Sequence, residues 1–195
     1  MEGCLFHFCQ ALWRNLQEWG LVVMYRDSTS HLKRFVKKIM ALAFLPSDRI
    51  EAMFNFLVSS KWPQGVPQQH PQLLGWLQYV RVTWIYNDSF PRHLWSVIFR
   101  LDNRTNNFLE SKHNGSRDHV FLVHSPLWTF LARLIVHHRN ELVTHVHSYG
   151  RSPSTRDSAL VEREGHLADN KALYISSQLT DYEYLTRVAY YLKDY

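Results

Sequence analysis

Cysteine is nearly absent. Cys4 and Cys9 are the only two in 195 residues. A small secreted domain stapled by disulfides carries more, and neither a CxxC pair nor Cys2His2 zinc-finger spacing occurs. Glycine and proline are sparse at seven each, and there is no internal repeat or low-complexity segment. No apolar run approaches the length of a membrane span, so no membrane partner is expected. The N-terminus has no basic segment leading into an apolar one, so a nuclear or cytoplasmic chain is expected, not a secreted one. The three Asn-x-Ser/Thr sequons, at Asn87, Asn103 and Asn114, then read as chance matches. Also missing are the Gly-x-Ser-x-Gly elbow, the P-loop and the dinucleotide fingerprint.

Aromatic and apolar residues are plentiful. The chain is 46% hydrophobic, with 11 Phe, 10 Tyr and 7 Trp, enough for a packed core and too much for a disordered chain. Lys and Arg total 22 against 17 acidic residues, a net charge of +5 and a pI near 9.3. That balance permits contact with phosphate backbones without demanding it. The basic residues are spread along the chain and form no polybasic tail.

Helical periodicity dominates, and a mainly α fold follows from it. Residues 4–8 are a short apolar run that reads as a strand, with a helix over about 10–19 stopped by Gly20. A second helix spans about 30–43, with Leu32, Phe35, Val36, Ile39, Met40 and Ala43 on one stripe. Pro46 and Ser47 open a third, carrying Ile50, Met53, Phe54 and Leu57. The prolines within 61–72 mark a loop before a helix with Leu73, Leu77, Val80 and Trp84. Residues 91–99 read as a short helical segment, 102–104 as a connection and 105–113 as a helix. Ser125 and Pro126 are a good helix start, and that helix ends near Gly150. Residues 150–158 form the clearest linker. Thr180 and Glu183 make a capping-box pattern for the last helix.

Several residues carry chemistry. Cys4 and His7 are two metal-ligand types at i, i+3, but zinc wants further ligands, and on spacing alone a buried Cys beside a hydrogen-bonded His is the better reading. Glu110 and His113 share a helix face, either as part of a metal site or as a solvated face. His137, His138, His145 and His147 lie on one helix, with Glu141 the sole carboxylate near them at ligand spacing.

Taken in order, these segments resemble Mutator-like element transposases. Gly3 to Arg14, GCLFHFCQALWR, is similar to that family's GCxFHFxQAxWR block. Ala41 to Pro46 resembles its ALAFLP, Thr83-Trp84-Ile85 its TWI, and Phe90-Pro91 with Leu94-Trp95 its FPxxLW. Thr105 to Glu110 resembles TNNxxE, His124 to Trp128 resembles HPxLW, and Tyr184-Leu185 sits where the family often has YL.

The resemblance implies the helical C-terminal part of a ribonuclease H-like, DDE-type catalytic domain over residues 1–150, followed by a linker and helical tail over 151–195. In such a domain Asp, Asp and Glu hold two divalent ions, typically Mg²⁺, for in-line displacement at phosphate. Glu110 falls on the third carboxylate and is the implied catalytic and metal-binding residue. Cys4 and His7 fall on the supporting Cys-x-x-His motif, and Asn106 and Asn107 on the motif around the Glu. Both family Asp residues and the central strands precede the Cys-x-x-His block, so they lie outside this sequence. Four expectations follow: a transposase fragment in a DNA-transposition family that is inactive alone; no cofactor held by this chain; weak, non-specific DNA binding or pairing with a fuller transposase or other protein; and apolar surface left uncovered near Phe6, Phe8 and Trp13. The alternative is a domesticated DNA- or protein-binding module.

Overall fold

The computed structural model describes residues 4–68, 70–100, 126–148 and 158–192. Among them every regular element is helical and no strand occurs. The chain forms two compact units, Met1–Arg104 with Ala159–Tyr195, and Thr105–Ser158. In the first unit lie α1 (Leu5–Glu18), α2 (Val22–Arg26), α3 (Leu32–Ala41), α4 (Ile50–Ser60), α5 (Pro71–Val80) and α6 (Arg92–Trp95). They are joined by nearly all of α8 (Ser158–Ile175) and by α9 (Asp181–Tyr191). The second unit contains α7 (Leu127–Ser148).

Residues 5–8 are helical, with Cys4 as the extended N-cap, which corrects the expected strand. The buried residues are Phe8, Cys9, Leu12, Trp13 and Leu16, a 3.6-residue stripe that continues without a break through α1. Burial of one helical face outweighs the local apolar density that suggested a strand. Gly20 ends α1 as expected, with φ +69°. Gly20 N–H donates to the Gln17 carbonyl at 2.9 Å and Leu21 N–H to the Leu16 carbonyl at 3.2 Å, a Schellman closure.

α3 is the centre of the first unit. Leu32, Phe35, Val36, Ile39, Met40 and Ala41 are all buried, and its main partner is α9, through Tyr184, Leu185, Val188 and Ala189. After Ala41 the chain tightens into a 3₁₀ turn, Leu42–Phe44, and five consecutive residues from Ala41 to Leu45 are buried. Such a run buries its peptide groups too, and these need partners. The segment after α6 supplies them: Val97 N–H donates to the Ala43 carbonyl and Ser96 Oγ to the Leu45 carbonyl, both at 2.7 Å.

α5 passes into a π turn, Arg81–Ile85, closed by Tyr86 N–H on the Arg81 carbonyl at 3.0 Å. The wider turn admits one extra residue, so Trp84 no longer sits directly beneath Val80. Trp84 instead meets Phe8 edge-on at 4.8 Å, while Phe8 stacks on Trp95 at 4.7 Å. Trp13 packs edge-on against Tyr25 at 4.9 Å. Phe8 and Trp13 are therefore buried, against the expectation of uncovered surface there, because α2, α6 and the π turn cover them; Phe6 is half-buried. Exposed apolar side chains lie elsewhere, at Val23, Val82, Phe90 and Phe99, and at Leu127, Trp128 and Ile135 on α7.

α8 carries no stop residue that marks it in the sequence. It is tied to its neighbours by Asp181, which accepts from the Tyr174 hydroxyl at 2.7 Å and from Arg49 Nη1 at 3.1 Å. Tyr174 also stacks on Tyr184 at 4.4 Å. The expected capping box is present: Thr180 Oγ1 accepts from Glu183 N–H at 3.3 Å, and the Glu183 carboxylate accepts from Thr180 N–H at 2.9 Å.

Candidate functional site

Cys4 is the N-cap of α1 and His7 lies in its first turn. The turn is closed by Phe8 N–H on the Cys4 carbonyl at 3.0 Å. Cys4 is half-buried, while His7 is exposed and lies edge-on to Phe6 at 5.5 Å. A spacing of three residues brings the two near one another at the first turn of the helix. A thiol and an imidazole favour soft or borderline metals, so this pair is no substitute for the oxygen ligands of Mg²⁺. Glu110, Asn106, Asn107 and His113 lie outside the described residues. Among the described residues no three His, Cys, Asp or Glu side chains come together at metal-binding distances. On α7, His137 is half-buried and His138 exposed; the side chains of His145 and His147 lie outside those described.

A recess of about 340 Å³ opens beside α4 and the π turn, with Asp48, Glu51, Asp88, Arg92 and His93 in its wall. Its carboxylates do not act as a set. Glu51 is ion-paired with Arg92, and that hydrogen bond holds its carboxyl below the usual range.

The other recessed surface is basic. α3 turns its buried stripe to the core and carries Lys33, Arg34, Lys37 and Lys38 off that stripe, so the helical period gathers four cations on the outer side. Between α3, the 60–64 segment and α9 lies a groove of about 410 Å³ whose wall includes His31, Arg34, Lys38, Lys61, Trp62 and Tyr182. A second groove of about 800 Å³ is lined by Lys33, Arg34, Lys37, Lys38, Thr186 and Tyr190. Arg34 and Lys38 belong to both, which makes them one seam. No carboxylate is among the described residues lining either groove.

Tyr182 registers the positive field of the seam. Lys38 Nζ donates to its hydroxyl at 2.8 Å, and the ammonium groups of Lys38 and Lys61 stand 4.5 and 4.9 Å from its ring centroid. Burial pushes the phenol up, but the hydrogen bond and charge of Lys38, with the charge of Lys61, outweigh it and hold the phenol below its ordinary value. Tyr190 is 79% exposed at the edge of the second groove.

No basic tail announces this seam in the sequence. The signal was the spacing in Lys33-Arg34-Phe35-Val36-Lys37-Lys38, two cation pairs one helical turn apart around two core residues. Lys61 and Tyr182 join only through tertiary packing. No helix among the described residues is long and apolar enough to cross a membrane. No protein-family model matches the chain, and neither does any curated protein or solved structure.

Proposed function

We propose that these 195 residues are the helical C-terminal portion of a Mutator-like transposase catalytic domain, and that alone they do not cut DNA. The observation that carries this is the ordered series of sequence blocks from Gly3 to Leu185. Their arrangement in space supports it. Phe8 of the first block, Trp84 of the third and Trp95 of the fourth form one aromatic cluster, and the segment just after the fourth block hydrogen-bonds the second at Ala43 and Leu45. Blocks that pack on one another belong to one structural unit, as the segments of a single domain do. In this reading Glu110 is the third carboxylate of a site whose Asp residues are supplied from outside these residues, and Mg²⁺ belongs to that completed site.

The genomic sequence 5′ of the Met1 codon is the direct test. Strand-forming segments bearing two Asp residues, intact or decayed, are the expected finding. Unrelated coding sequence in every copy of the locus overturns the family reading. A second reading, a binding module that contacts DNA, is favoured by one observation: the basic seam of α3 and α9.

A further inference from the structure

We propose that the seam between α3 and α9 is a binding track for single-stranded DNA, with Arg34, Lys38 and Lys61 on the phosphates and the Tyr190 ring stacked on a base. The inference rests on the reading of the chain as one that contacts DNA, and adds the place and the strand type.

The two grooves are continuous through Arg34 and Lys38, and cations recur along them from Lys61 across to Lys37. Arg34 and Lys38 stand one turn of helix apart, about 5.4 Å, and Lys61 lies in the same groove wall. A regular row of positive charge suits a polyanion that carries its charge at every unit, and counterion release drives such binding. An acidic peptide spaces its carboxylates irregularly and offers no flat faces. The seam offers flat faces of its own. Tyr190 stands exposed at its edge and Trp62 lines its other end. A positive groove interleaved with aromatic rings is the arrangement by which single strands are held, phosphates on cations and bases on rings. A duplex keeps its bases stacked inside and gives Tyr190 no partner.

Tyr182 is not a second stacking ring, because the Lys38 and Lys61 ammonium groups lie over it. It positions the cations. Its hydroxyl holds Lys38 at 2.8 Å and its ring attracts Lys61, so both are oriented before a strand arrives.

The test is fluorescence anisotropy on the full chain with a labelled oligothymidine of about 16 nucleotides and with a duplex of equal length, the range one or two single-strand modules cover. Titrations at about 50 and 200 mM salt give the slope that counts phosphate contacts. The expected result is tighter binding of the single strand. The double variant Arg34→Glu/Lys61→Glu loses about tenfold or more in affinity, with a salt slope lower by about two. Arg34→Lys/Lys61→Arg keeps the charges and stays within about twofold of the parent, which separates charge from folding. Tyr190→Ala weakens the single strand about five- to tenfold and leaves the duplex unchanged. Lys171→Glu on α8, outside both grooves, controls for net charge. An equal loss in Lys171→Glu and Arg34→Glu overturns the seam while leaving DNA contact standing. A duplex bound more tightly, with Tyr190→Ala silent, overturns the strand type. Displacement of the oligonucleotide by poly-glutamate at equal charge assigns the seam to an acidic peptide instead. No binding to either DNA at the lower salt removes the DNA reading together with the seam.

Discussion

Gly20 and Gly65 both hold left-handed backbone, with φ +69° and +78°, yet they answer to different constraints. A Cβ on Gly20 meets nothing within 4 Å, so Gly20→Ala carries only the conformational penalty, about 1–2 kcal/mol. A Cβ on Gly65 falls 2.8 Å from the Thr29 carbonyl oxygen and 3.2 Å from the Ser30 Cα, both backbone atoms that cannot step aside. Gly65→Ala therefore adds a clash to the same penalty and is expected to cost about 3 kcal/mol or more. Urea unfolding of the two variants checks this; equal losses refute the distinction. Tyr174 gives a prediction in pH. Burial pushes its phenol up, and the hydrogen bond to the Asp181 carboxylate and that charge push it further, Arg49 opposing only in part. A folded value above the unfolded one near 10 means the stabilisation is complete below about pH 10 and is lost as pH rises through the folded value. Tyr174→Phe is expected to cost about 1 kcal/mol near neutral pH, the low side for a bond to a charged group because the pair is partly solvated. The gap between variant and parent should be flat from about pH 6 to 9 and close above about pH 10. A gap that widens at high pH contradicts the assignment.

Helices α1 and α8 end in the same closure but not on the same residue. Gln178 N–H donates to the Leu173 carbonyl and Ser177 N–H to the Tyr174 carbonyl, at 2.9 and 3.0 Å, with Ser177 at φ +59°. Serine bears a Cβ there that glycine lacks, so Ser177→Gly is expected to stabilise the chain by about 0.5–1 kcal/mol. A thermal melt that falls on this substitution would mean the Ser177 side chain makes a contact worth more than the strain. The contrast explains what the sequence disclosed. The end of α1 was legible because Gly20 marks it, and the start of α9 because Thr180 and Glu183 form a capping box. α8 is hard to see in the sequence because its stop is a serine and its apolar residues mark out no single buried stripe, Leu167 and Asn170 being its buried members among the described side chains. α1's first turn reads as strand in a five-residue window because Leu5, Phe6 and Phe8 look alike there; only the spacing through Leu12 and Leu16 distinguishes the helix. α5's periodicity held as far as Val80, and the π turn beyond it followed from no local residue preference. Tertiary demand sets it, since Trp84 has to reach Phe8 and Trp95.

Across the whole molecule, the mainly helical class was legible from periodicity, whereas the basic seam was not, because Tyr182, Thr186 and Tyr190 of its wall lie more than a hundred positions away in sequence from α3. The same distance problem bears on catalysis. Two-metal phosphoryl transfer needs several carboxylates, because each ion has to be fixed and the pair held about 4 Å apart. On the proposed function Glu110 would offer two oxygens to one ion, and Mg²⁺ binds weakly to so few protein ligands. Cys4 and His7 supply a thiol and an imidazole, and His113 another imidazole, none of which Mg²⁺ prefers. In the recess beside α4, Glu51 is held by Arg92 and is not available to complete a site. We therefore expect no nicking, cleavage or strand transfer by these 195 residues with Mg²⁺ or Mn²⁺, even where DNA is bound along the seam. Supercoiled plasmid and transposon-end duplexes, incubated with the parent chain and with Glu110→Ala, are the substrates to use. Relaxation of the plasmid by the parent and not by Glu110→Ala would overturn this expectation, since it would place a complete carboxylate set around Glu110 within this chain. Equal, metal-independent nicking by both would instead indicate a contaminating nuclease, and the expectation would stand.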